Sequence, residues 1–401
     1  MKREGSFSEG PQRVDPAEVR GVSRVCLGVG TFLLGVSALG SFWDPKQFVF
    51  SWHFAFSFYY TLCLGAFFWL LVHHATRSSW GTLLRRQLEN VVALFPWVAV
   101  LFVPVFLDVW MGHNLYEWSD PAQVAKSFLW KARLAYLNPG FFSLRALGYL
   151  LFFVLASRYL CHQSLEQDRT GDPRVTLRLS SISCLLAPFF AGVTTFSAFD
   201  WWMSLEERWA STMWGVYLLA LSLPAAMALW IGMILGLRAR GYLGWVTQEH
   251  FHAMGKLLFA FIIFWAYIAF AQYFLVWYGN LPEETGFFIR RNHGSWQAVS
   301  VLLVYGNFGL TFVWLLTQGA KKDPRRLGIA AIWVVAMHVV EIYWIVMPVL
   351  HPEGPRVHWM DVTLWAGMGA VLVGFLLRTI AANPLYPLRD PLVEESVHLR
   401  N

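Results

Sequence analysis

Residues 257–277 run for 21 positions without a formal charge, opened by His250, His252 and Lys256 and closed by Tyr278, Asn280 and two carboxylates, Glu283 and Glu284. At about 1.5 Å per residue such a run reaches roughly 30 Å, the thickness of a bilayer's hydrocarbon core. Apolar runs of spanning length recur ten times, at about 25–41, 48–72, 91–111, 141–160, 177–203, 213–237, 257–277, 296–316, 327–349 and 359–377. A segment in lipid must satisfy its backbone internally, so the expected fold is an all-α polytopic membrane protein of about ten transmembrane helices. Pro96, Pro104, Pro188, Pro224 and Pro348 fall inside or at the ends of these runs and should kink them, with neighbours taking up the freed carbonyls.

Charge agrees with this reading. Only 14% of the 401 residues are charged, against about 25% in soluble domains, and the mean hydropathy is +0.46. Twenty-two Trp and 33 Phe exceed what a soluble core needs, and many suit interfacial belts. The net charge of +6 does not call for nucleic acid, because the basic residues sit between apolar runs. With the N-terminus in the cytoplasm, 22 of the 31 Lys and Arg residues fall in cytoplasmic segments or at their edges. Nine do not: Lys46, Lys126, Lys131, Arg133, Arg145, Arg208, Arg290, Arg291 and Arg356. The asymmetry predicts N-in and C-in topology across the bilayer.

The remaining segments divide simply. Residues 1–24 form a polar arm without the apolar core of a cleavable signal peptide, expected to be disordered or to lie on the surface. Residues 25–382 are the membrane domain, and 383–401 a cytoplasmic tail. The longest outer connection, 112–140, has room for an interfacial amphipathic helix over 122–136. No loop holds a dinucleotide-binding unit. Cys26, Cys63, Cys161 and Cys184 are isolated, with none of the spacings of iron–sulfur, zinc or covalent haem sites. Cys63 and Cys184, inside apolar runs, read as inert buried thiols. A haem held between His53 and His338 is not expected, because the two lie at different depths.

Ionisable groups inside spans are costly and mark function more often than not. Asp108 and Asp200 lie near the outer ends of the third and fifth runs, and Glu341 about two-thirds of the way out along the ninth. His338, three residues before Glu341, shares its helix face. His53 heads a polar stripe with Ser57, Tyr60 and Thr61. Gln272 and Tyr273 interrupt the seventh run. Each has a bland alternative: Asp200 and Glu206 can sit in interfacial water, and Lys256 can snorkel to the cytoplasmic surface. Together His53, Asp108, Asp200, Lys256, Gln272, Tyr273, His338 and Glu341 are the candidate proton-relay groups. No carboxylate lies deeper in the inner halves than Glu89, so an inward path would need Tyr, Ser, Thr and water.

Four stretches resemble a known family: FAFSFYYTLCLGAFFWLLVHH (54–74), FSAFDWWMSLEERWASTMWGVY (196–217), GKLLFAFIIFWAYIAFAQYFLVWYGNLPEET (255–285) and HVVEIYWIVMP (338–348). They are similar to the NrfD/polysulfide-reductase membrane subunits, and most of all to the ActF-type subunit of bacterial alternative complex III, a quinol:electron-acceptor oxidoreductase. The resemblance implies two four-helix bundles, helices two to five (about 48–203) and six to nine (about 213–349), with helices one and ten on the flank. It implies the bacterial cytoplasmic membrane and a complex with a pentahaem cytochrome, an iron–sulfur protein, a related NrfD-like subunit, a monohaem cytochrome and small membrane subunits, with a terminal oxidase as a further partner. Haem c and iron–sulfur clusters then belong to those partners; this chain binds no cofactor of its own, although quinol or quinone contact is allowed. The expected role is proton transfer, quinone access and assembly. Two rivals are a structural scaffold and a stand-alone proton-coupled transporter. The latter lacks Gly-rich broken helices and a clear inverted repeat.

Overall fold

A computed structural model describes residues 13–400. Ten helices are long and apolar enough to cross a membrane: Pro16–Gly40, Pro45–Ala75, Thr82–Gly112, Pro139–Thr170, Arg174–Leu205, Trp214–Ala239, Gln248–Gly279, Trp296–Leu316, Pro324–Val349 and Trp359–Ala382, helices one to ten. No strand occurs among the described residues, so the chain is an all-α polytopic membrane protein. Helix one begins earlier than hydropathy alone suggests. Asp15 accepts a hydrogen bond from the Ala17 amide at 2.8 Å, and Pro16 fixes the first turn. The surface arm expected over 1–24 is therefore helical from Pro16, and its first part, 1–12, lies outside the described residues.

Helices two, three, four and five contact one another in a ring, and so do six, seven, eight and nine. Helices one and ten pair along their length, and ten lies against helix two. The rings join where helix two meets six and nine and where five meets six. Helix two is consequently buried over 83% of its apolar window, against 17% for helix one. A helix surrounded on all sides must be apolar all round, and helix two is. Its backbone approaches helix six closely at Gly65, where a Cβ would meet the Ser222 carbonyl oxygen at 2.3 Å and the Ala226 Cβ at 2.6 Å.

Pro96 and Pro104 fall where helix three is broken, whereas Pro188 and Pro224 lie inside uninterrupted helices. Helix three is broken into Thr82–Val92, Phe95–Leu101 and Val103–Leu107 and ends in a π-helical turn, Asp108–Gly112. Near the break before Pro104 the Val105 amide turns to the Phe102 carbonyl, and the indole of Trp52 donates to the Leu101 carbonyl at 2.7 Å. Helix eight contains a second π-helical stretch, Leu303–Leu310, whose Gly306 carbonyl accepts from the Trp333 indole at 2.9 Å. Cys63 is buried as expected, but Cys184 lies on the exposed face of helix five.

One end of the molecule carries the described chain ends (the terminal face), and the other carries the connection 113–138 (the loop face). The single helix expected over 122–136 is two short ones, Pro121–Lys126 and Phe128–Arg133. Ser127 divides them, with an extended backbone and a hydroxyl that accepts from the Trp130 amide at 3.1 Å. On the terminal face the tail folds back over helix three. The Ser396 hydroxyl accepts from the Leu83 amide and donates to the Trp80 carbonyl, and Gln87 donates to the Leu385 carbonyl at 2.8 Å. Beneath it Arg85 bridges Glu89 at 3.1 Å and Asp390 at 2.9 Å, while Arg86 bridges Glu89 and Asp168.

The contact at Gly65 gives the first prediction. Gly65→Val should destabilise the protein by about 1–3 kcal/mol through overpacking, whereas Gly148→Ala, where a Cβ meets nothing, should not. Thermal unfolding of both variants in one detergent measures this; equal midpoints would mean that helices two and six do not need the close approach.

Candidate functional site

Glu341 on helix nine is 1% exposed. The Tyr217 hydroxyl of helix six donates to its Oε1 at 2.5 Å, and the Trp265 indole of helix seven donates to the same oxygen at 2.7 Å. No charged partner faces this carboxyl among the described residues. Such an environment differs from an ordinary buried ion pair, because the negative form is held by neutral donors alone. Its neighbour His338 is equally buried but looks elsewhere. Its Nε2 meets the Thr61 hydroxyl of helix two at 2.8 Å. The Thr61 hydroxyl also lies 2.8 Å from the Ser57 carbonyl of its own helix. Nδ1 of His338 has no partner. The shared face read from the spacing is real, yet the two side chains serve different helices.

Gln272 is 4% exposed, and neither atom of its amide has a partner. It lies seven residues beyond Trp265 on helix seven, on the buried side that also holds Ile268. Between Glu341 and the loop face stands Arg291, at the end of the short helix Pro282–Arg291 and fully buried. It donates to the carbonyls of Phe287, Trp344 and Ile345 and to Glu206 Oε1 at 2.8 Å, with its guanidinium 3.5 Å from the Phe287 ring centre. Burial pulls this guanidinium below its ordinary range, while Glu206 pushes it back up. Arg291 lies within electrostatic reach of Tyr217, so Glu206, Arg291, Tyr217 and Glu341 form a line of polar groups from the loop face inward.

The first bundle uses its acids differently. Asp200, fully buried, receives Arg145 Nε at 2.8 Å, Arg145 Nη2 at 2.9 Å and the Tyr149 hydroxyl at 2.9 Å. Arg145 in turn lies against the rings of Tyr136 and Phe141. Asp108 accepts from the amides of Asn114 and Leu115 and from the Asn114 side chain, which ties down the turn after helix three. Both acids are thereby structural anchors. His53 is fully buried among Phe56, Tyr116 and Trp202, and neither ring nitrogen has a hydrogen-bond partner of good geometry.

Six of the eight candidates are thus buried: His53, Asp108 and Asp200 on helices of the first bundle, and Gln272, His338 and Glu341 on helices of the second. Lys256 and Tyr273 stand apart on exposed faces of helix seven. Sequence reasoning missed Tyr217, Trp265 and the pair Arg291 with Glu206. Arg145, inside an apolar run, was the one available hint that Asp200 has a cation. No three metal-ligating side chains are placed to hold an ion among the described residues. An apolar cleft of about 170 Å³ opens between helices eight and nine, lined by Leu310, Trp314, Ile329 and Trp333. Both indoles there already donate to backbone carbonyls, those of Arg326 and Gly306. Comparison with protein-family models finds no match for this chain, and comparison with curated proteins finds none either.

The pair of Asp200 and Arg145 is testable. Arg145→Met leaves a buried carboxylate without its cation and should cost roughly 3 kcal/mol, most of it recovered in the double variant with Asp200→Leu. Thermal unfolding of the three proteins decides it: a double variant no more stable than Arg145→Met would show that the uncompensated charge is not the cause.

Proposed function

We propose that this chain is an integral membrane subunit of a quinol-oxidising respiratory complex of the alternative complex III type, in the bacterial cytoplasmic membrane. Its NrfD-like sequence stretches supply the family reading, and Glu341 supplies the chemistry. A carboxyl fully buried between helices, facing no cation and held by two neutral donors, is suited to take and give up a proton. Quinol oxidation in a neighbouring subunit releases hydroxyl protons that need an acceptor. In this reading Tyr217 and Trp265 fix the carboxyl in one orientation, and Arg291 with Glu206 connects it towards the loop face. His53, Gln272 and His338 are further polar stations whose open hydrogen-bonding positions face the core. Electron transfer, through haem c and iron–sulfur clusters, is the work of the partner subunits.

A scaffold reading draws support from Asp108 and Asp200, which serve packing. The two readings part at Glu341. Glu341→Gln preserves the side chain's shape and its acceptor oxygen but cannot carry charge. The complex carrying it should assemble with its cytochromes and iron–sulfur protein, and its quinol turnover or proton release should fall about tenfold or more. Unchanged turnover in an assembled complex would assign the chain to the scaffold role. Purification of the tagged protein in mild detergent, with mass spectrometry and a reduced-minus-oxidised spectrum, tests the family reading itself: a colourless, solitary protein would refute it.

A further inference from the structure

At the terminal face, helices one and ten enclose a cleft of about 460 Å³ that includes Val19, Arg20, Ser23, Arg24, Arg378 and Ala382 in its lining. Three arginines from two helices line it, all exposed, and none forms an ion pair with a carboxylate among the described residues. The nearby acids are otherwise engaged. Asp15 caps helix one, and Glu18 accepts from the Tyr242 hydroxyl at 2.8 Å. Arg378 does not wander as a snorkelling side chain would. Its Nε donates to Ser23 Oγ at 3.0 Å, and Ser23, 1% exposed, donates onward to the Gly374 carbonyl at 2.8 Å. The remaining guanidinium edge is left for an outside acceptor, and planar guanidinium groups match phosphate oxygens in pairs.

The track that leaves the cleft says what kind of phosphate. Gly28, Thr31 and Gly35 follow Arg24 at intervals of four, seven and eleven residues, the spacing of one helix face. All three are exposed, and a Cβ on Gly28 or Gly35 would meet nothing within 4 Å. A smooth strip therefore runs from the arginines along the apolar span, with room for a hydrocarbon chain against it. A free anion would use the arginines and ignore the strip. A phospholipid uses both, and basic pockets between helices at this membrane level favour anionic headgroups.

We infer that this cleft is a binding site for one anionic phospholipid, its phosphate on Arg20, Arg24 and Arg378 and one acyl chain along Gly28, Thr31 and Gly35. The site stands apart from Glu341 and does not depend on the role proposed for it. The test is native mass spectrometry of the full chain in detergent, titrated with phosphatidylglycerol, with phosphatidylcholine and with glycerol 3-phosphate. Phosphatidylglycerol should be retained over phosphatidylcholine, and the triple variant R20Q/R24Q/R378Q should lose about 100-fold in that retention. Gly28→Leu, which adds a good helix former where there is open space, should leave folding intact and weaken lipid retention without removing a charge. Equal retention of the two lipids, or full retention by both variants, would overturn the inference. So would displacement of the lipid by an equal concentration of glycerol 3-phosphate, which would mark the cleft as a free-anion site.

Discussion

The approach of helix two to helix six at Gly65 is the constraint on which the other contacts depend. Lipid offers no hydrophobic drive for helix association, so packing and interhelical hydrogen bonds have to supply it. With no side chain at Gly65, the helix-two backbone can lie against the Ser222 carbonyl. That approach brings the Trp69 indole within 3.1 Å of the Leu223 carbonyl. Helix six also reaches back to the first bundle, where the Trp230 indole meets the Leu84 carbonyl at 3.0 Å. Farther towards the loop face, Thr61 of helix two meets His338 of helix nine. Helix two thus belongs to both bundles at once, and the position of Glu341 is set from both sides.

Much of this architecture was legible in the sequence. Length and hydropathy located all ten helices, because a span must be apolar over a fixed distance whatever surrounds it. Ends were less legible, since they are set by caps: Asp15 with Pro16 starts helix one inside what reads as a polar arm. The site was legible only in outline. Glu341 and His338 stood out as polar groups deep in an apolar run, but Tyr217 and Trp265 lie 124 and 76 residues away and are two aromatics among many. Lys256 and Tyr273 entered the candidate set because helix seven is apolar all round, so its pattern does not reveal which side faces the core.

Asp200 and Glu341 show why a buried acid cannot be interpreted without its partners. Each lies towards the loop-face end of the last helix of its bundle, and the stretches around them are faintly alike. Asp200 meets a guanidinium through both oxygens, and that pairing compensates its charge at the cost of making any unpairing expensive. Glu341 meets a phenol and an indole, which orient a carboxyl in either protonation state without neutralising it. The same side chain is therefore ion-paired in one bundle and held by neutral donors in the other. The difference arises from Arg145, 55 residues before Asp200 on the adjoining helix.

The distribution of charge between the two faces carries this further. At the terminal face Arg85, Arg86, Glu89, Asp168 and Asp390 interlock beneath the folded tail, and all are buried or nearly so. Each acid there has a cation, and removing Arg85 or Arg86 would leave Asp390 or Asp168 without its partner. The network ties the tail and helix four to helix three at that end of the bundle. Between it and Glu341, helix two presents Leu62, Leu64, Phe67 and Leu70 to the interior, all buried and apolar. A line of charged and hydroxyl groups extends from the loop face towards Glu341, through Glu206, Arg291 and Tyr217. Under the proposed function, a proton moving to or from Glu341 along that line would exchange with the loop face.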